Sequence, residues 1–210
     1  MADIARGVPG EGRPRLGILV ASTRPGRVGL PVAQWFRAAA EDHGVFDVEL
    51  LDLAEIDLPL LDEPQHPRLR QYSKEHTRRW SRLVDGVGAL AFVVPEYNFA
   101  MAAPLKNALD YLYWEWQYKP AGFVSYGGVS AGTRGVQMAK EVVTTLKIMP
   151  VPEAVSIPFV HQFLDDQGEI APNETMTQAA TAMLDELSRW EEALRGLRHA
   201  GRLAATGAAR

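Results

Sequence analysis

Five short aliphatic runs, separated by longer helical patterns, constrain the fold of this chain more than any other feature. We interpret the runs as strands: RLGILVA (15–21), DVELLDL (47–53), GALAFVVP (88–95), GFVSYG (122–127) and EAVSIPF (153–159). Helical patterns lie between and after them, at about 30–42, 73–86, 103–117, 134–148 and 174–198. This alternation is typical of βαβ units around a parallel sheet that is buried on both faces. The sequence therefore predicts an α/β fold, a doubly wound three-layer α/β/α sandwich.

The length of 210 residues suits one α/β domain with a full core and is short for two. We expect a single domain over residues 14–200, with flexible tails at 1–13 and 201–210. Three prolines in residues 56–70 indicate an irregular excursion after the second strand. The N-terminal segment carries charges and glycines where a signal peptide would be apolar, so we expect a cytoplasmic location.

The composition excludes several kinds of chemistry. The chain has no cysteine, which removes disulfides, thiolate nucleophiles and iron–sulfur ligation. Its five histidines are scattered without HExxH-like spacing, so we predict no metal site: His43, His66, His76, His161 and His199. The net charge of −4 gives no sign of nucleic-acid binding, and no apolar run is long enough to span a membrane. Any redox chemistry then requires a bound organic cofactor or a metal held by other ligands.

The loop after the first strand has the composition of a phosphate site. Residues 21–29 read ASTRPGRVG and open directly into a helix, which brings Ser22, Arg24 and Arg27 to a helix N-terminus. The loop matches neither GxGxxG nor GxxxxGK[ST], so a mononucleotide phosphate suits it better than a dinucleotide. The alternative is that Ser22 caps the helix and the arginines are solvated.

Two further loops supply groups for a flat heteroaromatic ring. Residues 95–99, PEYNF, follow a buried strand and place polar and aromatic groups at its end; the alternative is a simple turn in which Tyr97 covers the sheet edge. Residues 125–132, SYGGVSAG, have glycines that allow main-chain N–H groups to approach a ligand. In a flavodoxin-like five-stranded parallel sheet of order 2-1-3-4-5, these loops and the phosphate loop lie side by side.

At this point the sequence resembles the NADPH-dependent FMN reductases of the flavodoxin-like superfamily, which include quinone, azo-dye and chromate reductases. The resemblance covers residues 15 to about 160. It rests on four segments in order: GILVASTRPGRVG (17–29), LPLLDEPQHP (58–67), VVPEYNFAMAAPLKNALDYL (93–112) and FVSYGGVSAGTRG (123–135).

The resemblance implies which residues bind the cofactor FMN. Ser22, Arg24, Arg27, Val28 and Gly29 would hold its phosphate, although many members carry another hydroxyl residue and an asparagine in place of Arg27 and Gly29. The remaining residues would contact the ring and the ribityl chain: Pro95, Glu96, Tyr97, Asn98, Tyr126, Gly127 and Gly128. No residue is assigned as catalytic, because hydride from NADPH or NADH would pass to flavin N5.

The resemblance also implies a partner and an assembly. The partner would be a small electron acceptor: free flavin, a quinone, an azo or nitro compound, or a metal oxyanion. Family members form homodimers or homotetramers, and the aromatic run YLYWEWQY (111–118) fits this because its rings cannot all face one core. The alternative is that Tyr111, Trp114 and Tyr118 form one stripe facing the core. Two other functions stay open, a non-enzymatic flavodoxin-like electron carrier and a hydrolase or transferase of nucleoside phosphates.

Overall fold

The computed structural model describes residues 12–207 of the chain, with side chains as far as residue 200. Residues 1–11 and 208–210 of the two predicted tails lie outside this range. The backbone of residues 201–207 continues the last helix, which therefore runs past the predicted end at residue 198. Between residues 12 and 207, none of the helices combines the length and apolar character needed to cross a membrane.

Strands and helices alternate along the described chain in the predicted manner. In order they are β1 (Arg15–Val20), α1 (Gly29–His43), β2 (Asp47–Asp52), α2 (Leu53–Ile56), α3 (Glu75–Asp85), β3 (Ala89–Tyr97), β4 (Ala100–Met101), α4 (Ala103–Asp110), β5 (Pro120–Tyr126), α5 (Thr133–Thr145), β6 (Met149–Ile157) and α6 (Glu174–Gly207). Short 3₁₀ helices occupy Pro67–Leu69, Trp114–Trp116 and Val160–Phe163.

The sheet has the predicted strand order with one addition. The five long strands are parallel in the order β2-β1-β3-β5-β6, which is the flavodoxin-like order 2-1-3-4-5 when only these strands are counted. The sheet also contains β4, which pairs antiparallel with the end of β3, so it has six strands where we predicted five. A two-residue strand is too short to produce a hydrophobic pattern, and the sequence therefore gave no signal for it.

Side chains from both faces of the sheet are buried in two separate cores. Along β1, Ile18 and Val20 face the core that α1 and α6 cover, whereas Leu19 faces the core beneath α3, α4 and α5. Both cores consist of fully buried aliphatic and aromatic side chains, Phe36 in the first and Trp80 in the second. Because helices protect both faces, a ligand can reach the sheet only at its edges.

The helix predicted over 103–117 is shorter than expected. It ends at Asp110, and a 3₁₀ helix follows at Trp114–Trp116. Tyr111 and Trp116 are fully buried in this chain's own core, while Trp114 is part-exposed and donates a hydrogen bond of 2.8 Å from Nε1 to the carbonyl of Arg68. The break in the helix lets the aromatic rings point in different directions. The single core-facing stripe of Tyr111, Trp114 and Tyr118 is therefore wrong.

Candidate functional site

A cleft of about 410 Å³ lies at the carboxyl edge of the sheet, where ligands bind in doubly wound folds. The loops and strand ends of β1, β3, β5 and β6 form its walls. It is lined by Ser22, Arg24, Arg27, Val28, Pro95, Glu96, Tyr97, Tyr126, Gly127, Gly128, Phe159, Val160, His161 and Gln162. The three segments that the sequence singled out thus lie at one site.

Ten of the twelve predicted cofactor residues line this cleft, and two do not. Gly29 lies directly behind it, buried at the first residue of α1. Asn98 is exposed at the tip of the turn between β3 and β4. Of the lining residues, the sequence did not assign Phe159, Val160, His161 and Gln162 to the site.

The first loop presents an uncapped helix N-terminus to the cleft. The N-cap of α1 is Val28, which makes no side-chain capping bond, and the first turn of α1 contains no acidic residue. The alternative role for Ser22 is therefore wrong, because its hydroxyl lies 2.9 Å from the hydroxyl of Tyr97 and joins the first loop to β3. The partial positive charge of the helix end thus remains available for an anion.

The two arginines of this loop are used differently. Arg27 donates two hydrogen bonds of 2.5 Å to the buried carboxylate of Asp52 and a third of 2.6 Å to the carbonyl of Ser22. The hydrogen bond to Asp52 raises the pKa of Arg27. The side chain of Arg24, in contrast, is exposed and makes no hydrogen bond or ion pair with any described residue. Arg27 therefore braces the loop, while Arg24 is available to a ligand.

The segment PEYNF forms a hairpin and not a loop. Pro95, Glu96 and Tyr97 belong to β3, and Asn98 and Phe99 make a two-residue turn in which both φ angles are positive, 51° and 68°. Such angles are typical of the type I′ turn, which matches the twist of a hairpin. The interpretation of residues 95–99 as a free loop is therefore wrong, although Pro95 to Tyr97 still line the cleft.

The Glu96 carboxylate fastens this hairpin to α5. It accepts hydrogen bonds from Arg134 Nε at 2.6 Å and from Ser130 Oγ at 3.0 Å, and the guanidinium of Arg134 lies 3.8 Å from the ring centroid of Phe99. Burial alone would raise the pKa of Glu96, but the bonds from Arg134 and Ser130 outweigh it, so that the pKa is lowered. Glu96 is thus a charged, fully partnered group beside the cleft.

The end of β5 contributes a tyrosine and two glycines. Tyr126 is only 6% exposed, and its hydroxyl has no hydrogen-bond partner among the described residues. Burial raises its pKa, an effect opposed by the nearby Ser22 hydroxyl and the charges of Arg27 and Arg24. Gly127 donates its N–H to the carbonyl of Ile157, so this amide is not available to a ligand.

The four residues that the sequence did not assign follow β6. Phe159 and Val160 donate N–H bonds of 3.1 Å to the carbonyls of Gly128 and Gly127, and these bonds bring the segment to the cleft. Phe159 has a φ of 46°, and its side chain is 49% exposed at the rim. The sequence could have indicated that this segment lies at the cleft, because a parallel strand was predicted to end at residue 159 and the carboxyl ends of all parallel strands share one edge.

The cleft has the features that a mononucleotide with a flat ring requires. Its end at α1 is cationic and carries an unpaired buried hydroxyl, both of which suit a phosphate. Its other walls are formed by aromatic and glycine residues, which suit a ring. Among the described residues, no group of three or more His, Asp or Glu side chains could hold a metal ion. The residues of the cleft therefore fit a mononucleotide such as FMN.

The family model described as NADPH-dependent FMN reductase matches residues 14–162. An NAD(P)H-dependent FMN reductase of Schizosaccharomyces pombe is 36% identical over 149 residues, which are 69% of this chain and 74% of the relative. The corresponding protein of Saccharomyces cerevisiae is 35% identical over 156 residues, 69% of this chain and 81% of the relative.

Among solved structures, the chain is similar to FerB, a flavoenzyme NAD(P)H:(acceptor) oxidoreductase of Paracoccus denitrificans. The TM-score is 0.69 at 20% identity, and the match covers 86% of this chain and 98% of FerB. At this identity the similarity shows the fold, whereas the family model and the yeast relatives show the family. With the flavodoxin-like sheet and the cleft at its carboxyl edge, the chain belongs to the NADPH-dependent FMN reductase family.

Proposed function

We propose that this protein is an NAD(P)H-dependent reductase that passes electrons through bound FMN to a small acceptor in a ping-pong mechanism. The observation that carries the proposal is one cleft with two unlike parts, a cationic end at α1 and an aromatic rim open to solvent. FMN, when bound, accepts hydride from the reduced nicotinamide and passes the electrons on. The chain's own residues bind and orient the reactants.

The phosphate end rests on the first loop. Arg24 supplies a charge that no described residue neutralises, and the first turn of α1 supplies uncapped main-chain donors. Arg27 keeps the loop in place through Asp52 and does not itself need to touch the phosphate. Charge-assisted hydrogen bonds of this kind are worth about 1.5–3 kcal/mol each, so a few of them hold a dianion firmly.

The ring part rests on β3, β5 and the segment after β6. The bond between Ser22 and Tyr97 fixes the end of β3 against the phosphate loop. Gly128 leaves open space where a side chain would stand, so that a flat group can approach the main chain. We include in the cofactor site the twelve residues predicted from the sequence, and add the residues after β6, Phe159 to Gln162.

The protein needs no acid or base of its own for hydride transfer. Glu96 is the only carboxylate among the described residues that line the cleft, and its oxygens are taken by Arg134 and Ser130. Its lowered pKa keeps it ionised at neutral pH, so it has no proton to donate. We therefore assign it a positioning role.

The acceptor site is proposed at the rim. Tyr97 is 39% exposed and Phe159 is 49% exposed, and both border the same cleft. An aromatic mouth favours flat or apolar acceptors such as quinones, azo or nitro compounds and free flavin, and it is also open to a metal oxyanion. Because the nicotinamide and the acceptor would use one mouth, they would bind in turn, which is the basis for ping-pong order.

The test is the visible absorption spectrum of the FMN-loaded protein, recorded without oxygen before and after NADPH is added. We expect the oxidised-flavin band to disappear within seconds and to return when a quinone is added. Double-reciprocal plots at several acceptor concentrations should be parallel; intersecting lines would overturn the ping-pong order. A band that stays oxidised with both NADPH and NADH would favour the electron carrier, and failure to bind flavin would refute the site.

We also propose that the chain works in the cytoplasm as a homodimer or homotetramer. Apolar side chains that remain exposed beside α4 and on α5 support an assembly: Leu60 is 84% exposed and Met138 is 43% exposed. Light scattering coupled to size-exclusion chromatography gives the mass directly. A monomer at micromolar concentration would refute the assembly.

A further inference from the structure

The hydroxyl of Tyr126 is a buried donor without a partner. The residue is 6% exposed, and Oη makes no hydrogen bond of regular distance and angle with a described residue; the Ser22 hydroxyl, which pairs with Tyr97, lies near it. Leaving such a group unpaired is destabilising, so native structures rarely retain one without a reason. Tyr126 is also one of the residues that line the cleft, and its hydroxyl oxygen is buried at that wall.

The hydroxyl lies at the cationic end of the cleft. A Cβ built on Gly29, the first residue of α1, would stand only 2.5 Å from Tyr126 Oη. The same Cβ would lie 3.3 Å from the Cβ of Ser22, so Tyr126, Gly29 and Ser22 meet at one point. The aromatic ring of Tyr126 thus reaches across from β5 until its oxygen touches the first turn of α1.

The charges around this point favour an anion. Arg24 and Arg27 both interact electrostatically with the Tyr126 hydroxyl, and the uncapped N-terminus of α1 adds partial positive charge. No acidic residue stands in the first turn of α1, and Asp52 is already paired with Arg27. A phosphate placed here would meet donors on several sides.

We propose that the Tyr126 hydroxyl donates a hydrogen bond to the phosphate of FMN, and that Gly29 is glycine because any side chain would displace that hydroxyl. The inference rests on the proposed function and sharpens it. The resemblance places Tyr126 along the ring, whereas the geometry assigns its oxygen to the opposite end of the cofactor. The phosphate would then be held from two strands, by the loop after β1 and by the end of β5.

The first experiment compares FMN with riboflavin, which lacks the phosphate. Dissociation constants are measured by quenching of flavin fluorescence for the wild-type protein and for Tyr126→Phe. We expect Tyr126→Phe to weaken FMN binding by about 10-fold to 100-fold, the range for a hydrogen bond to a charged group, and to leave riboflavin binding within about twofold.

A matched control is Tyr111→Phe. Tyr111 is also fully buried, but its hydroxyl donates to the carbonyl of Pro59 and to Asp62, both at 3.1 Å. We expect Tyr111→Phe to lower the urea midpoint of the flavin-free protein and to leave the FMN dissociation constant unchanged. Tyr126→Phe should leave the urea midpoint unchanged and raise the FMN dissociation constant, because it removes an oxygen that makes no regular hydrogen bond with a described residue.

A second variant tests the role of Gly29. Gly29→Ala should weaken FMN binding about as much as Tyr126→Phe does, because the added methyl group occupies the position of the hydroxyl. The double variant should bind FMN no more weakly than either single variant, since phenylalanine leaves no oxygen for the methyl group to displace.

The results distinguish failure of the proposed function from failure of the inference about Tyr126. If wild-type protein binds no FMN, the proposed function fails, and the inference fails with it. If wild-type protein binds FMN and Tyr126→Phe binds it equally well, the inference alone is refuted. Equal losses for FMN and riboflavin would also overturn it, because the hydroxyl would then contact the ring or the ribityl chain. Additive losses in the double variant would refute the role of Gly29.

Discussion

The buried polar groups at the two edges of the sheet differ in whether the chain itself supplies their partners. At the amino edge, Arg198 of α6 donates hydrogen bonds of 3.2 Å to the carbonyls of Gly88 and Tyr118, which precede β3 and β5. It also pairs with Glu191 at 2.5 Å, and Arg195 pairs with the same carboxylate at 2.7 Å. The buried charges at this edge neutralise one another within the chain.

At the carboxyl edge, Arg27 and Glu96 are paired, but other polar groups have no partner among the described residues. The Tyr126 hydroxyl has none, Arg24 makes no ion pair with a described residue, and the N-terminus of α1 has no side-chain cap. Both edges have buried charge, so charge alone does not distinguish a site from a structural anchor. What distinguishes them is whether the partners come from the chain itself or are still missing.

The largest expected effect is at the amino edge. Arg198→Ala leaves the Glu191 carboxylate buried with one partner fewer and two carbonyls unpaired, so we expect the free energy of unfolding to fall by about 3–5 kcal/mol. Urea denaturation measures this, and FMN affinity should stay within about twofold. The control is Arg189→Ala, which removes an exposed ion pair with Glu186 and should cost less than about 1 kcal/mol. Equal losses of unfolding free energy in the two variants would contradict the structural role assigned to Arg198.

A smaller effect of the opposite kind is expected at the carboxyl edge. Arg24→Gln should raise the FMN dissociation constant about 10-fold to 100-fold, because it removes a charge that faces the phosphate. The free energy of unfolding without flavin should change by less than about 0.5 kcal/mol, since no described residue loses a partner. Arg37→Gln, on the outer side of α1 and paired with Glu41, serves as the control for net charge and should change neither quantity. A clear loss of flavin-free stability in Arg24→Gln would show that this arginine is structural.

The smallest effect is expected on the rate of flavin reduction when Glu96 is replaced, because its carboxylate is already fully paired within the chain. Glu96→Gln should slow flavin reduction by NADPH less than about 10-fold in a stopped-flow measurement, because the amide oxygen of glutamine can still accept from Ser130 Oγ and from the main-chain N–H of Arg134. Glu141→Gln, on the exposed face of α5, is the matched control. Abolition of hydride transfer in Glu96→Gln alone would mean that the carboxylate takes part in the chemistry.

The lowered pKa of Glu96 also predicts how the stability difference between wild type and Glu96→Gln depends on pH. Because the pKa is lowered in the folded protein, the carboxylate contributes stability that is present above its unfolded pKa, about 4.3, and is lost as the pH falls through the folded value. The difference in unfolding free energy between wild type and Glu96→Gln should be constant above about pH 5 and shrink below it. A difference that instead grows toward acid pH would contradict the assigned ion pair with Arg134.

Local patterns in the sequence were sufficient for the long elements. The run at 15–21 became β1 at Arg15–Val20, and the helix predicted at 30–42 became α1 at Gly29–His43. Hydrophobic periodicity reports burial on one or both faces, and this is a property of neighbouring residues. It fails where an element is very short, as at β4, or where a helix stops without a proline or glycine, as at Asp110.

The site was predictable where one loop contains its own chemistry and unpredictable where partners come from far along the chain. Ser22 and Arg24 could be assigned from the loop itself. The use of Arg27 could not, because its partner Asp52 ends a different strand. In the same way, Phe159 reaches the cleft through a main-chain hydrogen bond to Gly128, and the identity of neither residue predicts that bond.

The sequence by itself determined the layered α/β architecture and the edge of the sheet at which the cleft lies, because both follow from hydrophobic pattern and from the handedness of parallel crossovers. The order of the long strands was predicted by analogy with flavodoxin-like folds. Only the tertiary structure decided which polar groups at that edge are satisfied by the chain and which are left for a ligand. That distinction depends on differences of a few tenths of an ångström in the distances between residues such as Gly29 and Tyr126, which lie almost a hundred positions apart. No local pattern can encode such a distance, since it arises when the fold brings α1 and β5 together.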